Sequence, residues 1–428
     1  VRTDRGDEFT TCFISMGTGP LHVPKLPGVP GIEEFRGHAF HTSRWDYDYT
    51  GGDSAGAPMT NLADKRVGII GTGATAIQCI PHLGRGAKEL LVFQRTPSSV
   101  DVRGNHPIDP EWFASIATPG WQQRWLENFT INQTGGFAVE DLVMDGWTDL
   151  ARRVVQRIAS LSGDISPQRV MEAVEDADFE KMEEIRARVD DVVEDPQTAQ
   201  KLKAWYRQLC KRPCFHDEYL QTFNRPNVRL IDTDGKGVER ITENGVVVAG
   251  TEYPVDCIVF ASGFEVGTPF SQRAGYDPLG RGGLRLSEYW ADGMRSLHGL
   301  QVHGFPNLFL TQLGQGANLV SNIPHNFPET SKAVAAIVAH AIDQGFRIVE
   351  PTKAAEDAWI ELIESSSMMA LGSEVGSADC TPGYYNNEGR PGTGFAAEMS
   401  KGHPGGPMGF FAHLRSWYAT GFEGVAFT

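Results

Sequence analysis

The stretch 65–77 constrains the fold more than any other part of the chain. Residues 66–70 form a short, largely apolar run, which predicts a buried strand. The run leads into Gly71-Thr72-Gly73 and then into apolar residues at helical spacing, namely Ala76, Ile77, Ile80 and Leu83. A strand, a tight glycine turn and a helix in this order open a Rossmann unit, in which the helix N-terminus faces a diphosphate.

Each small residue of this turn has its own task. Gly71 permits the sharp turn, Gly73 lets the backbone approach a pyrophosphate, and Ala76 lets the helix pack closely on the strand. We therefore predict that a dinucleotide is bound by Gly71, Thr72, Gly73, Ala74, Thr75, Ala76 and Gln78.

Arg95 indicates which dinucleotide is bound. The second predicted strand, 90–93, ends at Gln94-Arg95-Thr96, and Arg95 lies 24 residues after Gly71. An NAD-binding unit carries Asp or Glu near this point for the ribose hydroxyls, whereas an arginine suits the 2′-phosphate of NADP. The pattern favours NADP(H), with Arg95 and Thr96 as contacts. A solvated surface arginine is the structural alternative.

Length and charge exclude several classes of protein. A chain of 428 residues has room for two or three domains. Its formal net charge of −16 argues against binding to nucleic acid or to an anionic membrane. No apolar run approaches the roughly 18 residues that span a bilayer. We expect a cytoplasmic protein.

The cysteines agree with that expectation. All six are widely scattered, which is typical of reduced thiols. Cys210 and Cys214 are the only close pair, and no second pair completes a tetrahedral set. We therefore expect no metal site.

The range 104–205 differs in character from what precedes it. It is acidic, and apolar residues recur at helical spacing over 179–192. Ser166-Pro167 predicts a helix start. We interpret the range as a helical insertion whose charges form a solvated face.

After residue 205, strand patterns occur at 228–232, 245–248, 256–260 and 305–310. Helical patterns occur at 329–342 and 410–418, and a glycine- and proline-rich loop is predicted at 380–409.

The segment Phe35–Asp46 has no explanation in periodicity, and a packed linker is its structural interpretation. It nevertheless matches the FxGxxxHxxxW(P/D) fingerprint of flavin-dependent Baeyer–Villiger monooxygenases, and the matching residues are Phe35, Gly37, His41, Trp45 and Asp46. The chain therefore resembles that family. Related flavin monooxygenases that oxidise nitrogen or sulfur usually lack the tryptophan, so Trp45 and Asp46 favour the ketone-oxidising branch.

The resemblance implies an α/β fold with two Rossmann-like dinucleotide-binding domains. The FAD domain is expected to be incomplete, because the N-terminal turn for the FAD diphosphate is absent, and we expect a preceding segment of the same protein. The implied division is 1–19, end of the N-terminal part of the FAD domain; 20–60, linker with the fingerprint; 61–103, NADP domain, first part; 104–205, helical insertion; 206–262, NADP domain, second part; 263–428, C-terminal part of the FAD domain, with an active-site loop at 380–409.

Lys211 and Arg212 are the candidates for chemistry. A basic pair before a proline is usually a solvated turn, but in the resembled family such a pair precedes an FN(R/x)xNV segment, which Phe223–Val228 matches. The resemblance assigns Lys211 to the NADP 2′-phosphate and Arg212 to the active site. It implies that NADPH reduces FAD, that oxygen adds to give a flavin peroxide, and that a ketone is converted to an ester or lactone. A permanently charged guanidinium stabilises negative oxygen in such a site.

The resemblance also implies contacts from the C-terminal part. Gly314, Asn318 and Leu319 are expected against the flavin ring, and Tyr384, Tyr385 and Asn386 in the loop that faces substrate or NADP. The expected substrates are O2 and a bulky cyclic or polycyclic ketone. Two alternatives stay open: a flavin monooxygenase that oxidises nitrogen or sulfur, and an NADP-binding remnant or sensor without FAD.

Overall fold

The computed structural model describes residues 1–134, 136, 140–161, 166–311, 314–317, 322–366, 380–390 and 401–428. The chain divides into two compact units. Unit 1 consists of Val1–Pro20, Glu111–Val143 and Val266–Thr428, and unit 2 consists of Leu21–Pro110 and Met144–Glu265. The range 104–205, which we predicted to be one insertion, is thus shared between both units, because helices that follow one another in sequence pack into different cores.

The strands are β1 (Ile14–Met16), β2 (His38–His41), β3 (Arg66–Ile70), β4 (Glu89–Gln94), β5 (Val100–Asp101), β6 (Cys214–Phe215), β7 (Val228–Asp232), β8 (Arg240–Ile241), β9 (Gly245–Val248), β10 (Thr251–Pro254), β11 (Cys257–Phe260), β12 (Leu308–Leu310), β13 (Val349–Pro351) and β14 (Val425–Phe427). The α-helices are α1 (Tyr47–Thr50), α2 (Ala74–Gly86), α3 (Pro110–Ile116), α4 (Trp121–Gln133), α5 (Gly146–Ser160), α6 (Pro167–Val192), α7 (Pro196–Leu202), α8 (Tyr219–Thr222), α9 (Phe270–Ala274), α10 (Leu286–Tyr289), α11 (Ile323–Gln344), α12 (Lys353–Ser366) and α13 (Gly406–Ala419).

Unit 2 is built on a five-stranded sheet in the order β2-β11-β3-β4-β7. All four neighbouring pairs are parallel. The central strands are buried on both faces, as their apolar sequences require. Helix α2 packs its buried residues Ala76, Ile77, Ile80 and Leu83 into the same core as Val67 and Ile69. The Rossmann unit predicted from 65–77 is confirmed.

The fingerprint segment contributes an edge to this sheet. Strand β2 lies inside the range 20–60, which we predicted to be a linker, and it pairs with β11 so that His38 lies beside Cys257. Gly37 precedes the strand, and a β-carbon there would stand 2.6 Å from the carbonyl oxygen of Asp256. A side chain at position 37 would therefore prevent the strand from joining the sheet.

The helical part of unit 2 differs from the solvated face that we expected. Ser166 caps α6 as predicted, accepting a hydrogen bond from the Arg169 amide. The charged residues of α6, however, are not all exposed: Lys181 and Arg186 are buried. That expectation is wrong for these two because contacts with other elements bury them. Lys181 pairs with Asp101 and Asp149, and Arg186, besides its pair with Glu183 on the same helix, donates to the carbonyl oxygen of Ala204. The spacing of charges along one helix cannot reveal such contacts.

Unit 1 contains the parallel pair β1 and β12 and the antiparallel pair β13 and β14. Its main core holds large aromatic side chains, including Phe309, Trp359, Phe410, Phe411 and Trp417. The helical patterns predicted for 329–342 and 410–418 fall within α11 and α13.

A charged cluster joins three helices of unit 1. The carboxylate of Glu329 on α11 accepts hydrogen bonds from Arg415 on α13 at 2.9 Å and from Lys332 at 2.9 Å. Arg415 also donates to Glu127 on α4 at 2.9 Å. Burial alone would raise the pKa of Glu329, but these cations outweigh it and hold the pKa below its usual value. The cluster fixes α4 against α11 and α13.

Two further observations bear on composition. Cys12, Cys79, Cys214 and Cys257 are free thiols, whereas Cys210 and Cys380 are disulfide-bonded. The wholly reduced set that we expected is therefore wrong for these two, because a scattered distribution along the chain does not show which thiols the fold brings within bonding distance. Within the described ranges no helix is long and apolar enough to cross a bilayer, and no group of three or more His, Cys, Asp or Glu is arranged to hold a metal ion.

Candidate functional site

The glycine turn after β3 leaves its backbone open on one side and closed on the other. Gly71 has a φ of +113°, and a β-carbon there would stand 2.5 Å from the carbonyl oxygen of Ala261. Gly73 precedes α2 without a side-chain cap, and nothing lies within 4 Å of the place where its β-carbon would be. The first amide groups of α2 are thus accessible to an anion.

Hydrogen bonds tie this turn to the loop that follows β4. The hydroxyl of Thr72 donates to the carbonyl oxygen of Thr96 at 2.8 Å, and the hydroxyl of Ser98 donates to the carbonyl oxygen of Thr72 at 2.6 Å. Of the other predicted contacts on α2, Ala76 is fully buried against the sheet, while Thr75 and Gln78 are exposed. Gln78 donates to the carbonyl oxygen of Ala74 at 3.1 Å.

Three of the predicted NADP contacts meet at the carboxyl end of β4. Arg95 is exposed there, and the ammonium of Lys211 forms a hydrogen bond with the hydroxyl of the next residue, Thr96. The ammonium also lies 5.3 Å from the ring centroid of Tyr206. Tyr206 fastens the same loop, because its hydroxyl donates to the carbonyl oxygen of Pro97 at 3.0 Å. The structure therefore brings Lys211 into contact with Thr96, the neighbour of Arg95 in the chain. Sequence reasoning assigned Arg95 and Lys211 to the 2′-phosphate and Thr96 to the cofactor in general.

A short strand pair sets the position of Lys211 and Arg212. Strands β5 and β6 run parallel, with Val100 beside Cys214. The amide of Cys214 donates to the carbonyl oxygen of Ser99 at 3.3 Å. Burial raises the pKa of the Cys214 thiol to about 11, so this thiol is protonated at neutral pH and is no nucleophile. The pair holds the basic segment beside the loop 95–99.

Arg212 is exposed, and its guanidinium carbon lies 5.5 Å from the ring centroid of Trp147. Sequence reasoning missed Trp147, as it missed Tyr206. Neither residue belongs to a motif, and Trp147 is 65 positions away from Arg212 in the chain.

The fingerprint residues form a compact corner next to β2. Asp46 caps α1 by accepting from the Tyr49 amide at 2.9 Å and pairs with the His38 ring at 2.9 Å. The Trp45 ring meets Phe40 edge-on at 5.2 Å, and its indole N–H donates to the Thr50 hydroxyl at 3.1 Å. Phe35 packs against the core on the other side of the sheet. These contacts give the motif a structural task in unit 2.

His41 differs from the other fingerprint residues because its titratable ring is buried. The imidazole is buried, and burial lowers its pKa. Its Nδ1 accepts a hydrogen bond from the Ser43 amide at 3.2 Å. The Gly263 backbone also interacts with the ring and partly opposes the effect of burial on the pKa. The ring of Phe264 lies 5.6 Å away, at the end of the segment that follows β11.

Unit 1 offers an open backbone at the end of its parallel pair. Gly17 and Gly19 follow β1, and an added β-carbon at either would have nothing within 4 Å. Gly314 follows β12 and is buried. Small residues beside two parallel strand ends fit the close approach of a flat ring. The predicted flavin contacts Asn318 and Leu319 lie outside the described residues.

The loop residues at 384–386 have different surroundings. Tyr384 is exposed and meets the Tyr385 ring edge-on at 4.5 Å. Asn386 is buried, and its side-chain amide forms hydrogen bonds with the loop backbone. The side-chain oxygen accepts from the Gly383 amide at 2.9 Å, and the side-chain nitrogen donates to the carbonyl oxygen of Cys380 at 3.0 Å. Asn386 therefore shapes this loop.

The glycine turn fits NADP. The open space above Gly73 leaves room for a diphosphate. Two cationic side chains are placed at the loop after β4, Arg95 within it and Lys211 in contact with it, and their charge suits a phosphate. The open backbone at Gly17 and Gly19 fits the flavin of FAD in the same sense.

Comparison with known proteins gives a consistent result. No protein-family model matches the chain. The chain is 50% identical to neopentalenolactone D synthase of Streptomyces avermitilis over 419 residues, which cover 97% of this chain and 69% of that protein. It is 48% identical to a Baeyer–Villiger monooxygenase of Streptomyces coelicolor over 421 residues, which cover 97% of this chain and 68% of that protein.

Solved structures agree. The polycyclic ketone monooxygenase of Thermothelomyces thermophila superposes with a TM-score of 0.85 at 38% identity, covering 97% of this chain and 68% of that one. A complex of OTEMO with FAD and NADP superposes with a TM-score of 0.74 at 25% identity, covering 99% of this chain and 77% of that one.

Proposed function

This chain belongs to the Baeyer–Villiger monooxygenases, an oxidoreductase family that uses FAD and NADPH, and from that premise we propose roles for its individual residues. The reaction inserts one oxygen atom of O2 next to a ketone carbonyl and yields an ester or lactone. FAD, when bound, supplies the oxygen-activating chemistry, and NADPH supplies the hydride. Family membership favours this reaction over oxidation of nitrogen or sulfur and over a flavin-free sensor.

Lys211 and Arg95 recognise the 2′-phosphate of NADPH in this proposal. The observation that supports it is the hydrogen bond between Lys211 and Thr96, because it ties the basic segment to the loop beside the glycine turn. Against a net charge of −16, two adjacent cations attract the phosphate locally. The amide groups at the start of α2 would hold the diphosphate.

Arg212 stabilises the negatively charged oxygen atoms that the reaction generates. A guanidinium is a cation that offers five N–H donors in one plane. A lysine offers a compact point charge without this planar set of donors, so it would serve less well. Removing one such donor costs about 3 to 4 kcal/mol in comparable oxyanion sites.

The test compares R212A with R240A. Arg240 is an exposed arginine of β8 and serves as the control for loss of a surface charge. R212A is expected to bind NADPH normally and to lose ester formation by roughly 100- to 1000-fold, in keeping with the energy above. R240A should retain both. Normal ester yield from R212A would overturn the assignment.

For the substrate we propose a bulky cyclic or polycyclic ketone. The support is the printed activity of one structural relative, a polycyclic ketone monooxygenase. Conversion of a steroid-like ketone, cyclohexanone and an alkyl aryl sulfide by the same preparation would test this. Preference for cyclohexanone or the sulfide would refute the proposal. The expected location is the cytoplasm, where NADPH is regenerated.

A further inference from the structure

Trp147 connects the start of α5 to the basic segment. Its ring centroid lies 4.8 Å from that of Phe215, at an interplanar angle of 56°. The preceding residue, Gly146, lies so close to the Phe215 ring that a β-carbon there would overlap it. The Arg212 guanidinium carbon lies 5.5 Å from the Trp147 centroid. One indole therefore contacts both the strand that follows Arg212 and Arg212 itself.

The position of α5 is set by a buried group of charges. The Lys181 ammonium on α6 lies 2.9 Å from a carboxylate oxygen of Asp149 on α5 and 2.5 Å from one of Asp101 on β5. The Lys181 side chain is 8% exposed, and the two carboxylates are 15% and 13% exposed. One cation thus holds α5 to the strand pair that carries the basic segment.

Hydrogen bonds to Asp145 restrain the first turn of α5 in addition to the Lys181 ion pairs. Asp145 accepts from the Trp147 amide at 2.9 Å and, through its other oxygen, from the Arg103 guanidinium at 3.0 Å. Arg188 of α6 donates to the carbonyl oxygens of Val100 at 2.9 Å and His216 at 3.1 Å, one on each side of the strand pair. The backbone that carries Trp147 is fixed relative to the backbone that carries Arg212.

Arg212 has few other restraints. Its side chain is exposed and makes no salt bridge to any residue within the described ranges. A long arginine side chain without a partner samples many rotamers, and selecting one of them costs free energy. An indole face restricts the guanidinium while leaving its in-plane N–H groups free to donate.

We propose that Trp147 is a positioning residue that holds the Arg212 guanidinium in the orientation from which it donates to the reacting oxygen atoms. The proposal rests on the role of Arg212 proposed above. A purely structural role for Trp147 would affect folding without changing how efficiently NADPH consumption leads to ester.

The first experiment uses the FAD-loaded enzyme and measures ester formed per NADPH consumed. An exposed cation–π contact changes the population of the Arg212 rotamer that it stabilises by roughly two- to fivefold. W147L should therefore lower the ratio of ester to NADPH by about that factor, and W147F should restore part of it. The KM for NADPH should not change. The matched control is W205L, which removes a similar pair elsewhere in unit 2, where the Arg186 guanidinium lies 4.6 Å from the Trp205 ring.

A second experiment remains informative if W147L fails to fold. Tryptophans carrying one to three fluorine atoms are placed at position 147 alone, since fluorine weakens the ring quadrupole with little change in shape. The ratio of ester to NADPH should fall stepwise with fluorination. In the unaltered protein, the Arg212 side-chain protons should show an upfield NMR shift from the indole ring current, with or without bound cofactors, and the absence of this shift would contradict the contact.

The outcomes separate the two proposals. If R212A loses ester formation while fluorination at 147 leaves the ratio unchanged, Trp147 is not a positioning residue and the role of Arg212 stands. If R212A itself retains ester formation, the role of Arg212 fails, and the inference about Trp147 fails with it.

Discussion

The carbonyl oxygen of Ala261 lies 2.5 Å from the point at which a β-carbon on Gly71 would stand. Ala261 directly follows β11, and Gly71 directly follows the neighbouring strand β3. The nucleotide turn is thus closed from behind by the segment that leaves the sheet.

The substitution G71A should disable this turn. The new methyl group would collide with the backbone, and alanine is disfavoured at a φ of +113°. We expect a loss of about 3 kcal/mol in the free energy of unfolding and loss of NADP binding. Urea denaturation and NADP titration measure both. G250A is the control, because Gly250 also has a positive φ, of +73°, but has free space around it. Equal effects of the two variants would contradict the close-contact explanation.

The variant K211M should change the preference between NADPH and NADH. Removing one charged donor to a phosphate is expected to raise the KM for NADPH by roughly 10- to 100-fold and to leave that for NADH nearly unchanged. K201M is a suitable control, since Lys201 forms a surface pair with Asp232 at 3.2 Å. A similar rise in both KM values would indicate that Lys211 does not contact the 2′-phosphate.

The variant K181M should destabilise unit 2 strongly. It takes from Asp101 the buried cation that faces it, while Asp149 keeps its ion pairs with Arg152 and Arg153, and we expect a loss of about 3 kcal/mol. K65M removes a more exposed pair with Asp64 and should cost less than about 1 kcal/mol. The free energy of unfolding from urea titration distinguishes them. Comparable losses would mean that the buried group contributes little.

The sequence predicted those parts of the fold whose causes are local. The turn at 71–73 and helix α2 follow from glycine chemistry and apolar spacing within some twenty residues, and the fingerprint identified the family. Strand β2 was not predicted, because its partner β11 is about two hundred residues away. Likewise, Lys181 looked like part of a solvated face, since Asp101 and Asp149 lie on other elements.

In the candidate site, too, local motifs could be predicted from the sequence and long-range contacts could not. The distance from the glycine turn suggested Arg95, and the basic pair of the resembled family suggested Lys211 and Arg212. The contacts that hold these residues, such as Tyr206 under Lys211 and Trp147 beside Arg212, come from segments with no motif. Only folding brings them together, so one sequence could not identify them.

Glu329 should make the stability of unit 1 depend on pH. Its pKa is lowered in the folded state, since the hydrogen bonds from Arg415 and Lys332 outweigh the opposing effect of burial. A carboxyl group with a lowered folded pKa contributes its full stability above its unfolded pKa, about 4.5, and loses it as the pH falls through the folded value. The variant E329Q should therefore lower the free energy of unfolding by about 2 to 3 kcal/mol at pH 7. This is somewhat less than for a fully buried pair, because the Arg415 side chain is 38% exposed. The difference in stability between E329Q and wild type should shrink below pH 4.5. Urea titrations between pH 7 and pH 3.5 measure this difference. E8Q, which removes an exposed pair with Arg2, should show a small difference at every pH. If E329Q and wild type instead ran parallel down to pH 3.5, the charge on Glu329 would not be what holds α4, α11 and α13 together.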